Sequence, residues 1–187
     1  MNITLYNKIA YSSGCRDSRE EVANMVLNDK SLLADLVHVA LDTTDKHHHR
    51  ACWILELVCE AKITWLKEYL PHFCSKLSYL KNESAIRPMG KICLFAVKQN
   101  DKNSGFISEE ELQQITEVCF DWLITPNRKV GAKYYAIHTL YILGKNNNWI
   151  YPELRPILEQ GFNEHTAAYK IAARDILRKI DSANNKR

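Results

Sequence analysis

The chain carries none of the short motifs that announce a particular chemistry, and each gap narrows what the protein can be. Only six glycines occur in 187 residues, none of them in a phosphate-cradling loop, and there is no G-x-S-x-G elbow. No apolar run approaches the roughly 20 residues that a membrane span requires. The run 92–97 is six residues long, and Glu56 interrupts 51–59. Residues 1–11 mix polar with apolar side chains and contain no signal-peptide core. The six cysteines (Cys15, Cys52, Cys59, Cys74, Cys93, Cys119) form no C-x-x-C pair. Most stand beside aliphatic residues in helical patterns, where a thiol acts as a small hydrophobe. That usage predicts a reduced, cytoplasmic compartment without disulfide, metal or other cofactor. A net charge of +3 falls short of the balance expected of a dedicated nucleic-acid binder. Strand-like alternation with turn signals is missing throughout, which leaves an all-α fold in a single domain over 1–187.

What the chain does have is a column of small residues. Ala51, Gly90, Ala136 and Ala173 are spaced by 39, 46 and 37 positions. Each stands four residues before a leucine (Leu55, Leu94, Leu140, Leu177) and seven before a further apolar residue (Val58, Val97, Leu143, Ile180). These offsets place three residues on one helical stripe. Their recurrence at this period is the mark of stacked helix pairs, which bury a shared core that no single pair could. A second register agrees: an offset of 85 maps Pro71 onto Pro156 and Phe73 onto Leu158. A proline found twice in phase predicts a repeated bend or a late helix start.

Local signals place the helices. Ser18 to Glu21 reads as a capping box opening a first helix to about 27, and Asp29 as the cap of the next, with Leu32, Leu33, Leu36, Val39 and Ala40 inward. Helices then follow over 46–59, 64–80, 84–98 and 108–124, with Pro88 near a first turn and a second capping box at Ser108 to Glu111. Thr125-Pro126 starts a long helix that Gly144 ends; 152–160 is a helix broken by Gly161, and 165–180 is the last, before a frayed tail. The pairs are therefore about 18–42, 46–80, 84–124 and 126–164.

The segments HHHRACWILELV, RPMGKICLFAV, KYYAIHTLYIL and KIAARDILRKI, with EYLPHFCSKL and PELRPILEQGF, resemble the HEAT/armadillo-like repeat proteins. The resemblance implies a right-handed α–α superhelix of about four helix pairs plus a terminal helix. First helices would form the convex surface and second helices the concave one.

Polar residues supply two candidate surfaces. His48, Arg87, Lys133 and Lys170 each precede a small-column residue by three positions, and Arg174 and Arg178 extend the charge along the last helix. Stacking would set them in a row at about 10 Å steps. Such a row reads either as a ridge for an acidic partner or phosphate backbone, or as long side chains lying over their neighbours with heads in water. The alternative groove lies on the second helices at Lys76, Tyr79, Gln113, Glu117, Asp121, Arg155 and Glu159, whose mixed signs suit a protein partner. Successive helical positions lie about 100° apart, so His47, His48 and His49 cannot converge on one ion, and nothing completes a set begun by His48 and Cys52. His38, His72, His138 and His165 stand alone, and Cys119 and Cys74 read as core thiols. The resulting expectation is a non-catalytic binding or scaffolding module for a protein partner. The alternative, resting on resemblance to HEAT-like alkylpurine DNA glycosylases, is a nucleic-acid-binding repeat protein with Asp121-Trp122 as its nearest catalytic candidate.

Overall fold

The computed structural model describes residues 1–164 and 166–184, and every regular element among them is helical. In chain order these are α1 (Ile3–Tyr11), α2 (Arg16–Asn28), α3 (Leu33–Leu41), α4 (His48–Lys62), α5 (Leu70–Lys76), α6 (Glu83–Lys102), α7 (Glu109–Ile124), α8 (Val130–Leu143), α9 (Ile150–Glu164) and α10 (Ala167–Asn184). Short 3-10 turns at Lys30–Leu32, Ile63–Tyr69 and Leu77–Tyr79 flank α3 and α5. His165, the expected start of the last helix, and 185–187 of the expected frayed tail lie outside the described residues.

The helices stack as the column of small residues requires. α2 packs on α4, α4 on α6, α6 on α8 and α8 on α10, forming one layer of first helices. The second layer holds α3, α5, α7 and α9; α3 packs against α4, α5 against α7, and both α7 and α9 against α8. Ala51, Gly90, Ala136 and Ala173 are all buried at the seam, as are Leu55, Leu94 and Leu140 and the four residues of the third column. Leu177 packs against the same core from a half-buried position.

Several boundaries differ from the sequence reading, each for an identifiable reason. α1 was not expected: Asn2 caps it by accepting from the Leu5 amide at 3.0 Å, and Leu5 and Ile9, one turn apart, are fully buried. α2 begins at Arg16, not at a capping box, because the Ser18 hydroxyl accepts from the Ser13 amide at 3.0 Å and Glu21 pairs with Lys8. α8 starts at Val130, several residues later than expected. Asn127 turns the chain at φ 60°, and Glu83 of α6 receives both the Lys129 amide and the Arg128 guanidinium. α9 runs through Gly161, which is buried; an interior glycine costs only about 1 kcal/mol and does not by itself end a helix.

The two in-phase prolines have different consequences. Pro71 stands at the start of α5, where a missing N–H matters least, and the segment before it is a 3-10 turn, so the expected 64–80 helix is three short pieces. Pro156 lies inside α9.

Pro88 lies inside α6, because Asn82 opens that helix earlier than Pro88 could, accepting from the Ser84 amide at 2.8 Å. A proline at 88 leaves the carbonyl of Ser84, four residues back, without its helical donor. The indole N–H of Trp53 donates to that oxygen at 2.7 Å.

Candidate interaction surface

The cationic row is turned inward along half its length. A residue three positions before a buried small residue lies one turn away on the same face, so it points at the core. His48 is 6% exposed, its Nδ1 buried without a hydrogen-bond partner among the described residues, and its imidazole faces the Ala40 carbonyl, to which the Cys52 thiol donates at 3.4 Å. Lys133 is 2% exposed and its ammonium donates to the Leu123 carbonyl at 2.8 Å. Ala40 and Leu123 lie in the last turns of α3 and α7, where helical carbonyls have no internal donor and a positive group is favoured by the helix dipole. The two residues thus close the end of the preceding second helix, correcting the expectation that they stand in a solvent-facing row.

The remaining members of the row stay nearer the surface. Arg87 lays its stem across Gly131 and pairs at 2.8 Å with the buried Glu56, which also takes Lys91 at 3.0 Å. Lys170 is half-buried, Arg174 is exposed, and Arg178 is exposed beside Asp175 at 3.1 Å.

Burial also decides the thiols and the lone histidines. Cys52, Cys59, Cys74, Cys93 and Cys119 are buried, and burial pushes every one of these thiols up, Cys74 and Cys119 to about 12. They remain protonated and unreactive near neutral pH. Desolvation likewise lowers His48, His49 and His138, the last packed at 4.4 Å against the Tyr134 ring. Among the described residues, no group of three or more His, Cys, Asp and Glu could hold a metal ion. His165 lies outside them.

The second-helix surface is built mainly by α7. Ser108 and Glu111 exchange the two bonds of a capping box, 3.3 Å to the Glu111 amide and 2.7 Å from the Ser108 amide, which sets where the helix begins. Ile115, Val118, Cys119, Trp122 and Leu123 then fall inward, while Gln113, Glu117 and Asp121, four apart, fall outward. α7 contains five carboxylates and no lysine or arginine. Glu109, Glu110, Glu117 and Asp121 enter no ion pair among the described residues. Gln113 donates to Glu117 at 2.8 Å and holds its side chain along the helix.

Beside this face opens a cavity of about 600 Å³, floored by Leu112, Thr116 and Ile150 and edged by Glu109, Glu110, Gln113, Glu117, Asn147 and Trp149. A second cavity of about 480 Å³ shares Glu109, Leu112 and Asn147 with it, so the groove continues toward the end of α6 at Asn100 and Asp101. Trp149 is 54% exposed, with its indole stacked on Phe120 at 5.7 Å. Sequence reasoning missed Trp149 as a surface group; its place directly after the polar run 145–148 and before α9 was the available signal.

The other groove positions are placed elsewhere. Tyr79 is 64% exposed with the Lys76 ammonium 5.7 Å over its ring, on the α5 side. Arg155 pairs with Glu159 at 3.0 Å and with Asp181 of α10. Trp122 is buried against Gly90, so Asp121 has no exposed aromatic from that dipeptide beside it.

Two stacked helical layers share a seam of small residues and one continuous buried core. A family model for the HEAT repeat domain matches residues 12–180. The chain belongs to the HEAT repeat domain family. No curated protein and no solved structure matches it. It is a helical-repeat protein, and no helix among the described residues is long and apolar enough to cross a membrane.

Proposed function

We propose that this HEAT repeat chain is a non-catalytic binding or scaffolding module that presents its second-helix surface to a protein partner. The observation that carries the reading is the groove along α7, whose edging carboxylates meet no cation among the described residues and whose wall is the exposed Trp149. A rim of unpaired charge around an apolar floor with an aromatic anchor is the composition of an interface core and its edge. The surrounding helices are packed on both sides, so association costs little ordering.

Support for nucleic acid is weaker on the same surface. Glu109, Glu110, Glu117 and Asp121 repel phosphate, while His48 and Lys133 are turned to main-chain carbonyls. The test is capture from native lysate, with and without nuclease, using the wild-type chain and a Glu117→Lys/Trp149→Ala variant that folds normally by circular dichroism. A protein retained by the wild type, insensitive to nuclease and lost from the variant, is the expected result. Identical retention by both removes the α7 groove from the function. Duplex-DNA binding that weakens steeply with salt replaces the protein reading with the nucleic-acid one.

A further inference from the structure

Resting on the protein-partner reading, we infer that the segment received by the α7 groove is basic, with a lysine or arginine side chain lying over Trp149. The charge of the groove argues for this. The chain carries +3 overall, yet α7 holds five carboxylates against no lysine or arginine, and Glu109, Glu110 and Glu117 edge the cavity unneutralised. Glu111 is the one carboxylate of that turn taken up by the fold, through the capping box. The first turn of α7 has reason to be acidic from the helix dipole, but that account stops with the first turn. It does not extend to Glu117, two turns along, nor to Asp121 beyond it.

The aromatic geometry argues the same way from a different side. Trp149 stacks on Phe120 at an interplanar angle of 25°, so one indole face is taken by Phe120 and the ring is held flat. With 54% of the residue exposed, it offers a platform beside Glu117 and Glu110. An indole face attracts a cation within about 6 Å of its centroid, and flanking carboxylates supply the hydrogen-bond acceptors for an ammonium or guanidinium. The same protein already pairs cations with rings in this way elsewhere, with Lys91 at 5.3 Å over Phe95 and Lys30 at 5.6 Å over Trp65. The floor of Leu112 and Ile150 accommodates the aliphatic stem of such a side chain.

The experiment titrates the full chain with three synthetic decapeptides of matched length: one alternating lysine with alanine, its fully lysine-acetylated form, and one alternating glutamate with alanine. Binding of the basic peptide alone is expected, weakening as salt rises through the physiological range. Glu117→Gln and Trp149→Ala should each lower that affinity by about fivefold, roughly 1 kcal/mol in a cation–π or exposed-charge contact. Asp17→Asn, a carboxylate on α2, is the control that should leave it unchanged. Acetylated peptide binding as tightly as the basic one, still through Trp149, overturns the charge inference while the protein-partner reading stands. Basic-peptide binding that ignores both substitutions, or no binding, also overturns it; the lysate capture decides the broader reading separately. Concentration-dependent dimerisation abolished by Glu117→Lys would assign the groove to a second copy and overturn the inference too.

Discussion

A methyl group added at Gly90 would lie 3.4 Å from the Tyr135 Cβ and 3.5 Å from the Trp122 ring, both ordinary contact distances. Since three of the four small-column positions are alanine, the seam is built for a methyl group, and Gly90 forgoes one. Gly144 is different. Its backbone is right-handed helical at φ −66°, so conformation alone does not call for glycine. The Tyr151 ring lies directly against its α-carbon, fixed by stacking on Tyr141 at 5.8 Å and by a 3.0 Å bond from its hydroxyl to the Tyr141 carbonyl. Thermal denaturation should therefore separate the two. Gly90→Ala is expected to be neutral or stabilising by up to about 1 kcal/mol through helix propensity. Gly144→Ala should destabilise by about 1–3 kcal/mol, because a stiff, tethered ring must move. Equal midpoints would contradict the packing described. The helix end at Gly144 was readable from the sequence; the reason for glycine there was not, since it is a ring that arrives from the next helix.

At the scale of the element, α6 shows how one helix depends on another. Pro88 deprives the Ser84 carbonyl of its donor, and Trp53, projecting from α4, replaces it at 2.7 Å. Trp53→Phe keeps most of the ring's apolar contact and deletes only the donor, at an expected cost of about 1 kcal/mol, the low end for a half-buried carbonyl. In a Pro88→Ala background the helix supplies its own amide, so the same substitution should cost measurably less. A double-mutant cycle read by urea denaturation tests this, and strict additivity would show that the indole bond does not substitute for the missing amide. Pro88 near a helix start was a fair expectation from spacing. Asn82, six residues earlier, won because its cap, worth about 1 kcal/mol, is joined by the burial of Ala85 and Ile86 and by the Trp53 bond to the freed carbonyl, which together offset the roughly 3 kcal/mol of an interior proline. The capping box at Ser108 and Glu111 was legible for the same local reason, since both its bonds form within four residues. The one at Ser18 and Glu21 failed because Ser13 and Lys8, on neighbouring segments, took the two side chains first.

Across the molecule, packing makes stability sensitive to acid. Burial holds the folded imidazoles of His48, His49 and His138 below their ordinary value near 6.5. The unfolded chain therefore binds more protons as pH falls through that value, so the stability is present in full above it and declines below. The unfolding midpoint should drop between pH 7.5 and 5.5, and His48→Gln should flatten that slope. A midpoint independent of pH across this window would refute the burial of these rings.

The amino-acid sequence by itself determined the stacking: small residue, leucine and second apolar residue at fixed offsets define one stripe per helix, and a stripe can be buried only against its own repeat. It also determined which face of α7 looks outward, because Gln113, Glu117 and Asp121 keep a strict spacing of four. Only the tertiary structure decided what each polar side chain meets. Lys133 and Arg87 occupy the same phase in their helices, yet one ends on a carbonyl of α7 and the other on Glu56 of α4. Helical phase sets the direction of a side chain, but the atom waiting there belongs to another part of the chain.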